Sequence, residues 1–124
     1  MKQYLYIIIM CVTILLFASC GPQYDAEDLV ENFMEQNMRE EMKPSAIRFT
    51  DIDSTTFVND SVIISLRHQA RRAQRYRPDV KYAPDQPFKK LIVTRVTYRI
   101  EDQEYNDTYY LDMDLTRVIA YKEN

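Results

Sequence analysis

The hydrophobic positions change period several times along this chain, and each change marks an element. Tyr4 to Phe17 is an apolar run broken only by Thr13. Further on, Leu29, Val30, Phe33, Met34 and Met38 recur at helical spacing, which predicts a helix from Asp25 to about Met42. Pro22 is expected to discourage helix before it. Asp25 and Asp28 resemble a capping box and suit the helix dipole, and Pro44 closes the segment. Glu27, Glu31, Glu35 and Glu40 fall on the other side and read as a solvated face. From Ala46 to Asp53, Ile47 and Phe49 alternate with less apolar residues, which predicts a strand. Ile52 is out of register there and marks a bulge or the strand end. Ser54 to Asn59 reads as a connection from which Phe57 or Val58 could dock on the core.

Residues 61–77 carry two signals. Val62, Ile63 and Ile64 favour strand by β-branching. Yet Val62, Ile63, Leu66, Ala70, Ala73 and Tyr76 or Arg77 keep helical spacing, and Asn59, Asp60 or Ser61 offers an N-cap. The length favours a helix, which Pro78 should stop. Asp79 to Pro87 reads as an ordered loop with Tyr82 packed inward. Lys89 to Glu101 is the clearest strand: Ile92, Thr94, Val96, Tyr98 and Ile100 face one way, and Arg95, Thr97 and Arg99 the other. A hairpin loop over Glu101–Asp107, a return strand over Thr108–Asp114, a turn over Asp112–Thr116 and a last strand over Thr116–Tyr121 complete the pattern. The fold class expected is α+β: two helices packed on one face of an antiparallel sheet of about four strands, in the order helix, strand, helix, three-strand meander.

Composition narrows this picture. The single glycine is Gly21, so glycine-rich phosphate loops and dinucleotide fingerprints are excluded. Left-handed turn positions are expected to fall to Asn and Asp, which tolerate that backbone best among residues with side chains. The formal net charge of −3 argues against nucleic acid as a partner, because phosphate neutralisation supplies most of that affinity.

The N-terminal run ends in Leu15-Leu16-Phe17-Ala18-Ser19-Cys20-Gly21, after a positive start at Lys2. Charge, apolar middle and small-residue end fit a secretory signal. The cysteine at the boundary resembles the lipobox of a bacterial lipoprotein signal peptide, which implies lipidation of Cys20. The family pattern has Leu three places before the cysteine, and here Phe17 stands there with Leu16 one place earlier. A soluble secreted chain and an uncleaved membrane anchor are the other readings, and the run is short for the ~20 residues of a spanning helix. Cys11 would leave with the signal, so the remaining chain could form no internal disulfide, and acylation accounts for a lone exported cysteine. This divides the chain into a signal peptide at 1–19, a lipidated tether at 20–24 and one small α+β domain at 25–124.

Candidate chemistry is sparse. His68 is the single histidine, and its neighbours Arg67, Arg71 and Arg72 suggest a polar helix face. No nucleophile elbow exists, so no catalytic residue is expected. Asp51 with Asp53, and Asp112 with Asp114, could ligate calcium, but each pair sits where a strand should end and reads as turn chemistry. No metal or cofactor is expected. Arg67, Arg71 and Arg75 repeat every four residues and would form a basic stripe able to meet phosphates or an acidic partner, or a solvated face. Tyr109 and Tyr110 must point to opposite faces, leaving Tyr110 as a candidate aromatic contact beside Arg95 or Arg99.

The element order resembles cystatin-like and NTF2-like α+β folds. The stretches Asp53-Ser54-Thr55, Asp60-Ser61 and Thr108-Tyr109-Tyr110-Leu111-Asp112 through Val118-Ile119-Ala120-Tyr121 are similar to small lipoproteins of Bacteroidetes-type bacteria. That resemblance carries no catalytic motif. It implies no activity and points to the outer membrane as destination. The anchor at Cys20 together with the lack of a catalytic set gives the expectation of a non-enzymatic envelope lipoprotein acting through contacts with an envelope protein. A small ligand held in a pocket between helices and sheet is the alternative.

Overall fold

The structure is a computed structural model that describes residues 21–84 and 88–124. The signal segment with Cys20, and residues 85–87 of the loop, lie outside the described residues. Seven elements follow in order: α1 (Pro22–Asn37), β1 (Ser45–Phe49), β2 (Asp53–Thr55), α2 (Asp60–Ala73), β3 (Leu91–Ile100), β4 (Gln103–Leu111) and β5 (Val118–Glu123). The strands form one antiparallel sheet in the order β1-β3-β4-β5, with β2 pairing beside β1 along the same edge of β3. The α+β class expected from the periodicity is the class observed, with five strands. No helix among the described residues is long and apolar enough to cross a membrane.

The helices begin and end in places the sequence signals misplace. α1 starts at Pro22 rather than Asp25, because a proline in the first turn has no amide that the helix would need. It ends at Asn37 rather than near Met42. There the chain turns extended and joins the segment after α2: Met38 bridges Tyr76, Arg77 N donates to Asn37 O at 2.8 Å, and Arg39 N donates to Arg75 O at 3.0 Å. α2 is capped by Asn59, whose Oδ1 accepts from Val62 N at 3.0 Å. It stops at Ala73, well before Pro78, because Gln74 takes left-handed backbone with φ 61°.

The expected strand over 46–53 is split in two. Gln23, in the first turn of α1, donates to Thr50 O at 3.1 Å and accepts from Ile52 N at 2.8 Å, and so fixes the break between β1 and β2. The β3–β4 hairpin turns on Glu101 and Asp102 alone, so β4 begins at Gln103 and Asp107 belongs to the middle of a strand rather than to a loop. Left-handed positions also differ from expectation. They fall at Ala46, Gln74, Glu101 and Leu115, with no Asn or Asp among them in the described residues. At Leu115 the turn is held from outside, by Asp112, whose O accepts from Leu115 N and whose Oδ1 accepts from Thr116 N and Arg117 N.

The core has two parts. α1 lays Val30, Phe33 and Met34 on Val96, Tyr98, Tyr109, Leu111 and Tyr121. A second cluster joins Ile63 and Leu66 of α2 to Leu91, Ile119 and Ala120, with Val58 and Tyr110 at its margin. Strand alternation sets Tyr110 and Ala120 on the opposite face from Tyr109 and Tyr121, so the start of α2 covers the back of the sheet. α2 therefore begins behind the sheet, where the back of β4–β5 is also apolar and needs cover, and reaches the first cluster at Ala70. Val58 joins this core margin, whereas Phe57 remains 90% exposed.

Candidate functional site

Two places gather polar side chains, and they are built differently. The first is buried. Past the left-handed Gln74, Arg75 turns into the protein, its side chain only 13% exposed. Its Nη1 donates to Asp107 Oδ1 and Oδ2 at 3.0 and 3.1 Å and to the Tyr98 hydroxyl. Its Nε pairs with Glu123 Oε1 at 2.9 Å. Tyr98 in turn donates to Asp107 Oδ2 at 2.6 Å. The guanidinium also lies 4.4 Å from the centroid of the Tyr105 ring, within cation–π range. Beside it the hydroxyls of Tyr76 and Tyr109 are bonded to each other, and the Tyr109 and Tyr121 rings stack at 5.5 Å.

Burial governs the ionisation of this cluster. It raises the Asp107 carboxyl above the ordinary carboxylate value, opposed by the Tyr98 hydrogen bond and by Arg75. Glu123 is raised for the same reason, less the effect of Arg75. Burial disfavours the Arg75 charge, but Asp107, Tyr98 and Glu123 together offset this and hold it above the ordinary arginine range. Tyr98, Tyr109 and Tyr121 are all pushed up by desolvation. Asp107 is wholly buried and its donors are protein groups, so the network ties the segment after α2 to β3, β4 and β5. Chemically it acts as a brace.

The second place is an open cleft of about 540 Å³ between the outer part of α1, residues 77–83 and the β4–β5 turn. Leu29, Phe33, Tyr82 and Val118 form its apolar surface. Asn32 and Gln36 come from α1, Arg77, Asp79 and Lys81 from the loop, and Thr116 and Arg117 from the turn. The loop wall is sewn on both sides: Lys81 N donates to the buried Asn37 Oδ1 at 3.0 Å, and Ala83 N to Val118 O at 3.0 Å. The Tyr82 hydroxyl is buried and has no hydrogen-bond partner among the described residues. Desolvation pushes its ionisation up to about 12, against the pull of Arg67 and Arg71.

The residues singled out in the sequence are dispersed by this fold. Arg67 donates to Ile119 O at 2.9 Å and Ala83 O at 3.0 Å, and its guanidinium lies 4.9 Å from the Tyr82 ring centroid. It thereby covers the outer edge of β5. Arg71 stays exposed on α2, and Arg75 is in the buried network. The three do not form one basic stripe, because the helix ends before the third. Tyr110 is half-buried against Val93, Ala120 and the start of α2, in a groove with Ser65, Gln69 and Lys122. His68 is exposed and approaches Arg72 at 3.4 Å. Asp112 spends its carboxylate on Thr116 and Arg117 as a turn residue does, whereas Asp53 opens β2, where its carboxylate accepts from Ser54 N. Among the described residues no group of three or more His, Cys, Asp or Glu is placed to hold a metal ion. Cys20 lies outside the described residues.

Neither Asp107 nor the cleft was singled out in the sequence. Asp107 is flanked by Asn106 and Thr108, a polar stretch that reads as loop, and its partner Arg75 is distant in the chain. The cleft residues come from three separate segments with no shared spacing. No protein-family model, no curated protein and no solved structure matches this chain.

Proposed function

We propose that this chain is a cell-envelope lipoprotein, held at the outer membrane through acylated Cys20, whose α+β domain is a non-enzymatic protein-interaction or structural module. The observation that carries this reading is the join between the anchor segment and the domain. α1 begins at Pro22, directly after the Cys20-Gly21 boundary, and Gln23 is bonded to both Thr50 and Ile52. A lipid on Cys20 would hold the sheet itself at the membrane surface without a flexible spacer. Two or more acyl chains give stable anchoring where one is marginal. The internal use of Arg75, Asp107, Tyr98 and Glu123 supports a role in shape rather than in reaction. In cell fractionation, the wild-type chain is expected in the membrane fraction and a Cys20→Ser variant outside it. Crosslinking in intact envelopes should then join the wild-type domain to a specific partner. An unchanged distribution of the variant, or crosslinks no different from those of an unrelated anchored domain, would refute the reading.

The cleft favours a second reading, in which the anchored domain holds a small molecule. Its volume is in the range of ligand sites. It lies at the open margin of α1, whereas the interface between α1 and the sheet is occupied by Val30, Phe33, Met34 and the tyrosines.

A further inference from the structure

The cleft beside α1 differs from the rest of the surface in three respects that bear on what it could hold. Its rim carries three cations, Arg77, Lys81 and Arg117, against the single carboxylate of Asp79. Among the described residues, the Lys81 and Arg117 side chains make no hydrogen bond or ion pair, and Arg77 has only a 3.8 Å contact with the exposed Glu40. Carbonyls near the α1 C-terminus would repel an anion, and three of them are engaged. Phe33 O accepts from Asn37 Nδ2, Met34 O from Met38 N and Asn37 O from Arg77 N.

The second respect is rigidity. Asn37 bonds the loop at Arg77 and Lys81, and Val118 bonds it at Ala83, so both walls are fixed before anything binds. Preorganisation of this kind lowers the ordering cost of association. The third is the floor. Leu29 and the half-buried Tyr82 ring line it, with the buried Phe33 packed behind Tyr82 at 5.8 Å between ring centroids. Ring surfaces of this kind bind flat aromatic or sugar faces.

We propose that this cleft binds a small carboxylate carried on a single ring. The carboxylate meets Lys81 and Arg117 at the rim, and the ring lies against Leu29 and Tyr82. The proposal rests on the small-molecule reading of the domain and specifies its ligand chemistry. Either a sugar acid or an aromatic acid supplies that chemistry.

The test is calorimetric titration of the full chain, purified in mild detergent, with glucuronate, benzoate and their neutral counterparts glucose and benzyl alcohol. Saturable binding is expected for at least one carboxylate, weakened by added salt and stronger than for its neutral counterpart. Which of the two acids binds identifies the ring. The paired Lys81→Gln and Arg117→Gln substitutions should weaken it by about ten-fold or more, as loss of two charge-assisted contacts implies. Arg95→Gln with Arg99→Gln, on the opposite face of β3 from Val96 and Tyr98, should leave it unchanged, and the unfolding midpoint of each variant serves as the fold control. A neutral probe binding as well as its acid would overturn the carboxylate assignment and keep the small-molecule reading. No saturable binding by any probe, or equal affinity in the cleft variant, would overturn the proposal.

Discussion

Arg75 and Arg117 are the same residue type, yet one is a structural member and the other is available at a surface. Arg75 is enclosed by Asp107, Glu123, Tyr98 and Tyr105, and its donors serve these groups. Arg117 stands exposed on the β4–β5 turn at the mouth of the cleft, where its backbone amide, rather than its guanidinium, is engaged by Asp112. The difference comes from the backbone. A left-handed residue just before Arg75 redirects the chain off the helix, and the buried Asp107 gives the guanidinium a partner. Charge in a sequence therefore does not mark a contact surface until its partners are known.

The comparison breaks most visibly at Arg75. Arg75→Met leaves the buried Asp107 without its cation, and such a change should cost about 3–5 kcal/mol of stability in urea unfolding. A loss under about 0.5 kcal/mol, the range of ordinary surface substitutions, would show that the network is no brace.

Titration of Glu123 sharpens the same point with a smaller effect. Its carboxyl is raised in the folded chain, so the folded state binds the proton more tightly than the unfolded one. The stability gained is present below the ordinary carboxylate range and is lost as pH rises through the folded value. Urea unfolding of wild type should thus decline across that window relative to Glu123→Gln, which does not titrate. A difference that grows with pH would reverse the assignment.

Gln74→Gly tests the turn that separates the two roles. Glycine takes left-handed backbone without a Cβ penalty, so stability should rise by about 0.5–1 kcal/mol. A continuous helix through this position would instead lose about 1 kcal/mol, as glycine does in helix interiors. The smallest effect is expected at the cleft rim. Lys81→Gln and Arg117→Gln should each change unfolding free energy by less than about 0.5 kcal/mol, since neither side chain is bonded among the described residues. A larger loss at either would make the rim structural as well.

These regions also differ in how far the sequence discloses them. β3 is legible because Thr94, Val96 and Tyr98 are buried at every second position along one face. Val30, Phe33, Met34, Ile63, Leu66 and Ala70 are legible because helical spacing reports burial directly. Pairing across the chain is not reported in this way. The end of α1 is set by Tyr76 and Arg77 joining Asn37 and Met38, and the split of the first strand by Gln23. Asp107 looks like a loop residue because aspartate is ordinarily exposed, and Arg75 and Tyr98 together make its burial tolerable. The left-handed Gln74 has no local signal at all, since the Arg39 side chain that bonds its carbonyl at 2.7 Å lies in another part of the chain.

The central claim concerns the segment before the domain, and the most direct measurement is the intact mass of the chain purified from its native membrane fraction. A lipoprotein would give a mass matching residues 20–124 plus acyl chains, fixing Cys20 as the anchor and the cleft as a site held at a membrane surface. An unacylated mass would contradict the account, leaving Cys20 a thiol and the domain without the anchor proposed for it.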